Sequence, residues 1–131
     1  MNNLLFTSLL SFAVNSVKEH FSNIHSLKLQ VLDEIYTAAV DASQAALLAA
    51  NYSIPVQKHA ARHIRKAFVE KNLLERRYAD WLEEIVSTFK GFEHGMIKDI
   101  SGEKIDDLVV KGTSFIRRMD DLTREMLWAR Q

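Results

Sequence analysis

Ile35-Tyr36-Thr37-Ala38-Ala39-Val40-Asp41-Ala42-Ser43-Gln44-Ala45-Ala46-Leu47-Leu48 is the stretch whose reading decides the fold. It contains neither glycine nor proline, and its apolar residues recur at helical spacing. Leu27, Val31, Ile35, Ala38, Ala42, Ala45 and Ala49 follow a three-four alternation, with Leu29, Leu32, Tyr36, Ala39, Val40, Ala46 and Leu47 on the flanks. An apolar arc that broad belongs to a helix covered on most sides. Alanine allows close approach of neighbouring backbones, so the stretch reads as the central helix of a bundle.

Outward from it, the period predicts further helices. One runs from about Asn3 to Phe21, with Phe6, Leu10, Ala13, Val17 and Phe21 on its buried face. Leu5, Leu9 and Phe12 lie off that face, placed to cover the domain or meet a second subunit. Ser22, Asn23 and Ser26 supply turn and N-cap chemistry before the helix over about Leu27–Ala50. A third helix runs from Pro55 to about Glu70, because proline suits a first helical turn and Asn72 tolerates a left-handed cap. A fourth, from near Leu74, buries Tyr78, Leu82, Ile85, Phe89, Phe92 and Met96. A fifth buries Ile105, Leu108, Gly112, Phe115, Met119, Leu122 and Met126. No segment sustains strand alternation. Short loops between long amphipathic helices favour antiparallel neighbours. The fold expected is all-α, an up-and-down antiparallel bundle of about five helices in a single domain over residues 1–131.

Composition sets the outer limits. Apolar residues make up 47% of the 131, which argues against disorder, and one proline with four glycines argues against a loop-rich β fold. Seventeen basic and seventeen acidic side chains leave no overall charge. There is no cysteine, so disulfides and thiolate metal sites are ruled out, which fits a cytoplasmic protein. The apolar run at the N-terminus lacks the flanks of a signal peptide and the roughly 20 residues of a membrane span. No membrane association is expected.

The order of elements resembles the HEPN domain family, small helical bundles that are usually dimeric. The second helix looks like that family's aromatic-Tyr-Ala-Ala-x-x-Ala-x-x-Ala-Leu-Leu pattern in Ile35–Leu48. Tyr52, His59, Ala67-Phe68-Val69 and Phe115-Ile116 occupy places similar to the family's linker aromatic, third-helix histidine, Ala-Phe-Val segment and last-helix Phe-Ile pair. The resemblance covers roughly Ser26 to Leu127. It implies a homodimer, and a minimal nucleotidyltransferase as a partner. Catalytic members are metal-independent RNases with an arginine followed by four to six residues and then a histidine. His94 matches that histidine, but Phe89 and Thr88 stand where the arginine belongs, and the nearest cation is Lys90. Lys90 and His94 lie one helical turn apart and share a face.

The chemistry those two residues offer is definite. Histidine titrates near neutrality and can move the proton of a 2′-hydroxyl, while lysine places charge on phosphate without arginine's planar fork. A second constellation follows the central helix. No acidic residue occurs between Ala42 and Val69, whereas Lys58, Arg62, Arg65 and Lys66 point outward, and Arg76 and Arg77 extend the stripe. Such a stripe fits phosphates of RNA or a nucleotide. It equally fits a solvated face balanced by Glu70, Glu75, Asp80 and Glu83. His59 and His63 have metal-binding spacing but no third ligand in sequence, so neither a metal nor a cofactor is expected. Three functional readings follow: a dimeric module binding RNA, a nucleotide or a nucleotidyltransferase; an RNase using His94 with Lys90; and a scaffold without a ligand.

Overall fold

The computed structural model describes residues 3–53 and 57–130, with the backbone alone described for 3–6. All regular structure among these residues is helical. The helix α1 covers Asn3–Ala49 without a break. A short segment, α2 (57–69), opens as a 3₁₀ turn at Gln57–His59, continues as α-helix at Ala60–Ile64 and closes as a π turn at Arg65–Val69. Two longer helices follow, α3 (Arg76–Glu93) and α4 (Gly102–Ala129). The predicted N-terminal role of Pro55, with Ile54 before it, lies outside the described residues.

The expected first and second helices are therefore one helix of 47 residues, about 70 Å long. Ser22, Asn23 and Ser26 do not break it. Their helix propensities fall only a few tenths of a kcal/mol below alanine's, and neither glycine nor proline stands there to reverse the chain. As a consequence the predicted buried face of the first helix is wrong where it is described. Leu10, Val17 and Phe21 face solvent, and so does Ala13.

The central stripe also needs rotating. Leu27, Val31, Ala38 and Ala45 are exposed, whereas the residues read as flanks (Leu32, Tyr36, Ala39, Val40, Ala46 and Leu47) are buried. Alanine occurs on both faces, and so marks neither. The larger side chains decide, because they gain most from leaving water. Ser43, buried in the same face, satisfies its hydroxyl by donating to the Ala39 carbonyl at 2.8 Å.

Contacts along the helices give their directions. Lys28 meets Ile100, Ile35 meets Gly112 and Arg130 reaches the Ala49 carbonyl, so α4 runs parallel to α1. Glu84 meets Lys104 and Lys111 while Glu75 meets Arg118, so α3 runs antiparallel to α4. Tyr36 bonds Gln57 whereas Tyr52 packs edge-on against Phe68, so α2 runs parallel to α1. The start of α2 at Gln57 thus lies back at the level of Tyr36, not at the α1 end near Ala49, which departs from the expected antiparallel step. Leu82, Ile85, Phe89 and Phe92 of α3 and Leu108, Phe115, Met119 and Leu122 of α4 fill the core as predicted. Ile105, Met126 and Tyr78 are half-buried at its margin. Met96 is 82% exposed instead, because α3 ends at Glu93 and Gly95 takes a positive φ of 77°. Asn72 adopts the left-handed cap, at φ 59°.

Candidate functional site

The parallel run of α2 along α1 brings its start against the end of α3, with α1 as the floor. A cleft of about 470 Å³ lies there, lined by Tyr36, Gln57, Lys58, Lys90 and His94. Its volume falls within the ordinary range for small-ligand sites. The sequence placed Lys58 on one stripe and Lys90 with His94 on another; here they share one recess.

Each wall is built locally. Tyr36 stacks on Phe89 with ring centroids 4.6 Å apart, and its hydroxyl donates to Gln57 Oε1 at 3.1 Å. Lys90 Nζ stands 5.1 Å from the Tyr36 ring centroid and 5.5 Å from that of Phe89. Cation–π attraction thus holds the ammonium over an aromatic platform. His94 caps α3, its N–H donating to the Lys90 carbonyl at 3.0 Å. Glu93 Oε1 lies 3.7 Å from Lys90 Nζ and 3.5 Å from His94 Nε2. The cleft therefore combines two ammonium groups, an imidazole, an amide and a phenol, with a single carboxylate at its rim. It can hold an anion, with a flat apolar ring beneath.

The basic stripe does not act as one surface. Arg65 is engaged by Asp80 at 2.8 Å and by Glu83 at 2.6 Å, across the α2–α3 contact. Arg77 lies over the Tyr78 ring at 4.9 Å. Arg76 lines a separate recess with Leu73, Glu75 and Arg118, where Arg118 donates to Glu75 and to the Leu73 carbonyl. Arg62 and Lys66 are exposed on α2. Loss of hydration, then the charges of Arg62, Lys58 and His63, lower the pKa of His59 from the usual imidazole value. Asp41 sits with Asp33, Glu34 and Thr37 on an exposed strip, not among the residues lining the cleft.

A smaller cavity, about 230 Å³, lies at the far end of the bundle between Ala49, Tyr52, Phe68 and Arg130. It contains none of the predicted site residues. Among the described residues no group of three or more His, Asp or Glu gathers to hold a metal ion, and no helix is long and apolar enough to cross a membrane.

Tyr36 and Gln57 are the site residues that sequence reading missed. Tyr36 read as a packing residue of the central helix, and Gln57 carried no motif. Their only sequence signal is an aromatic residue at the edge of the apolar arc. Neither the family models, the curated proteins nor the solved structures compared with this chain match it.

Proposed function

We propose that this protein is a HEPN-like binding module that holds a phosphate-bearing ligand, RNA or a nucleotide, in the Tyr36–Lys58–Lys90–His94 cleft. The observation that carries the reading is the convergence of Lys58 and Lys90, from different helices, on one recess over the Tyr36 ring. Phosphate meets both ammonium groups, with the buried Tyr36 ring as the floor beneath them. Glu93 serves as the resident counter-ion that an incoming phosphate replaces.

The test is a fluorescence-anisotropy titration of a labelled single-stranded RNA at several salt concentrations. Two phosphate contacts give a slope of log K against log salt near about −1.4, and losing one lowers its magnitude by about 0.7. Lys58→Ala and Lys90→Ala should each produce that change, whereas Arg65→Ala should leave the slope alone. Equal slopes for wild type and both lysine variants, or no binding at low salt, would refute the reading.

His94 lining the same cleft supports a second reading, a metal-independent RNase in which His94 moves the proton and Lys90 holds phosphate. Cleavage of transfer RNA in EDTA that disappears in His94→Ala would replace binding by catalysis. The neighbouring nucleotidyltransferase implied by the family resemblance is the partner to test in co-purification.

A further inference from the structure

The part of α1 that precedes the domain is the largest feature the cleft leaves unused. Lys28 donates to the Ile100 carbonyl at 2.7 Å and meets Asp99 at 3.0 Å, and His25 stacks on Phe92 at 4.6 Å. Contact with the domain starts there. Upstream, Leu10, Val14, Val17 and Phe21 are 55%, 45%, 53% and 65% exposed. With Ile24 they are spaced four, three, four and three apart, the seam period of paired helices.

We propose that residues 7–24 pair antiparallel with the same segment of a second copy of this chain. The occupant follows from three observations. The first is chemical. Lys18 is the only lysine or arginine in residues 7–24, and Glu19 follows it. The polar side of the segment is Ser8, Ser11, Asn15 and Ser22. Helices that lie on membranes carry a lysine- and arginine-rich polar face, so a lipid surface fits less well than a like helix.

The second is area. The four seam side chains expose roughly 400 Å² per arm, so two copies would cover roughly 800 Å² of apolar surface. With the usual share of polar rim this makes roughly 1,300 Å², within the range of stable interfaces. Phe12, on the opposite side, is not counted.

The third is geometry, and it sets the direction. The seam frame steps from Ile24 to Lys28, where the chain's own α3–α4 connection occupies that face. Parallel arms would drive both domains into the same place. Antiparallel arms put Leu10 opposite Phe21 and Val14 opposite Val17, and bring residue 7 level with the partner's Ile24. Each arm then fills the free length of the other and stops at its domain. Opposed helix dipoles favour the same direction. The pairing is independent of any ligand in the cleft.

Light scattering coupled to size exclusion tests it on the full chain, and RNA affinity is read separately, so the two proposals fail independently. The expected mass is twice 15.0 kDa. Val17→Lys should weaken association at least tenfold without loss of helical circular dichroism, because the site is exposed. The chain has no cysteine, so introduced thiols report direction. An equimolar mixture of Leu10→Cys and Phe21→Cys should cross-link, whereas Leu10→Cys alone should not, its two copies lying about 16 Å apart along the axis. A monomeric mass overturns the proposal, whether the arm folds back on its own chain or floats with phosphatidylcholine vesicles. A dimer unchanged by Val17→Lys, or cross-linking of Leu10→Cys alone, overturns it as well.

Discussion

Gly112→Ala should destabilise the protein, and Gly91→Ala should not, although both glycines lie inside helices with a neighbour equally near. A Cβ on Gly112 would stand 2.9 Å from Ile35 Cγ2. That methyl sits directly on the branch point of a side chain held between α1 and α4, and cannot swing away without moving a helix. Overpacking of this kind costs about 1–3 kcal/mol. Alanine's better helix propensity returns about 1 kcal/mol. The net expectation is a loss of about 1 kcal/mol, or about 3–5 °C in Tm at this chain length. At Gly91 the new Cβ would stand 2.8 Å from Ile97 Cδ1 and 3.0 Å from Ile97 Cγ1, both on the free arm of a half-buried side chain in the segment after α3. Rotation of Ile97 relieves that contact, leaving a gain of up to about 1 kcal/mol from helix propensity. Urea unfolding of both variants measures the difference. Ile35→Ala supplies the internal control, because it deletes the clashing methyl. In the double variant with Gly112→Ala the two effects should fall short of additivity by the overpacking term, about 2 kcal/mol. Stabilisation by Gly112→Ala, or strict additivity with Ile35→Ala, would refute the close approach of α1 and α4 as the reason for glycine.

Two further outcomes concern the supports of α4. Ser101 accepts a hydrogen bond from the Lys104 N–H at 3.1 Å, so Ser101→Ala should cost about 1 kcal/mol in chemical denaturation and Ser101→Gly only a few tenths. Glu84 accepts from Lys104 and then from Lys111, and these bonds outweigh its partial burial, holding its carboxyl below the usual 4.5. A lowered folded value means stability that is present above about pH 4.5 and is lost as pH falls through the folded value. The difference in urea midpoint between wild type and Glu84→Gln should therefore be present at pH 7 and shrink below pH 4.5; a difference that stays constant into that acid range would contradict the assignment.

How much the sequence discloses depends on how distinct its apolar faces are. The helices α3 and α4 carry single stripes of large side chains against charged residues, and their buried positions follow from spacing. Asn72 and the end of α3 near Gly95 follow from local conformational preference. In α1 the same method selects the wrong face, because Ala38 and Ala45 outside and Ala39 and Ala46 inside satisfy the same pattern. Its length escapes for a different reason. Ser22 and Asn23 mark a turn only when neighbouring structure requires one, and a helix crosses them at small cost.

The cleft is less legible still, since it is a product of chain direction. Lys58 and Lys90 stand at the start of α2 and the end of α3, and no spacing rule relates them. They meet because α2 begins back at the level of Tyr36 and runs parallel to α1. The same event separates Arg65 from them, by turning it toward Asp80 and Glu83. A stripe that looked continuous in sequence is thus divided into an ion-paired part and a part that enters the recess.

The composition of that recess bears on binding against cleavage. A general base must keep a nitrogen available at the proton it removes, and a phosphate clamp must remain cationic when charge develops. One oxygen of Glu93 lies near both Lys90 and His94, which suits neither task until an anion displaces it. Lys58, on a different helix, lies outside this arrangement, and in the proposed reading it supplies the positive charge that first draws a phosphate in. Binding needs only this exchange of one anion for another. Cleavage needs in addition that His94, two-thirds exposed at a helix end, be fixed against the 2′-hydroxyl by the substrate itself. The arrangement therefore meets the demands of a binding site with the residues present, and those of a nuclease only with order supplied by the ligand.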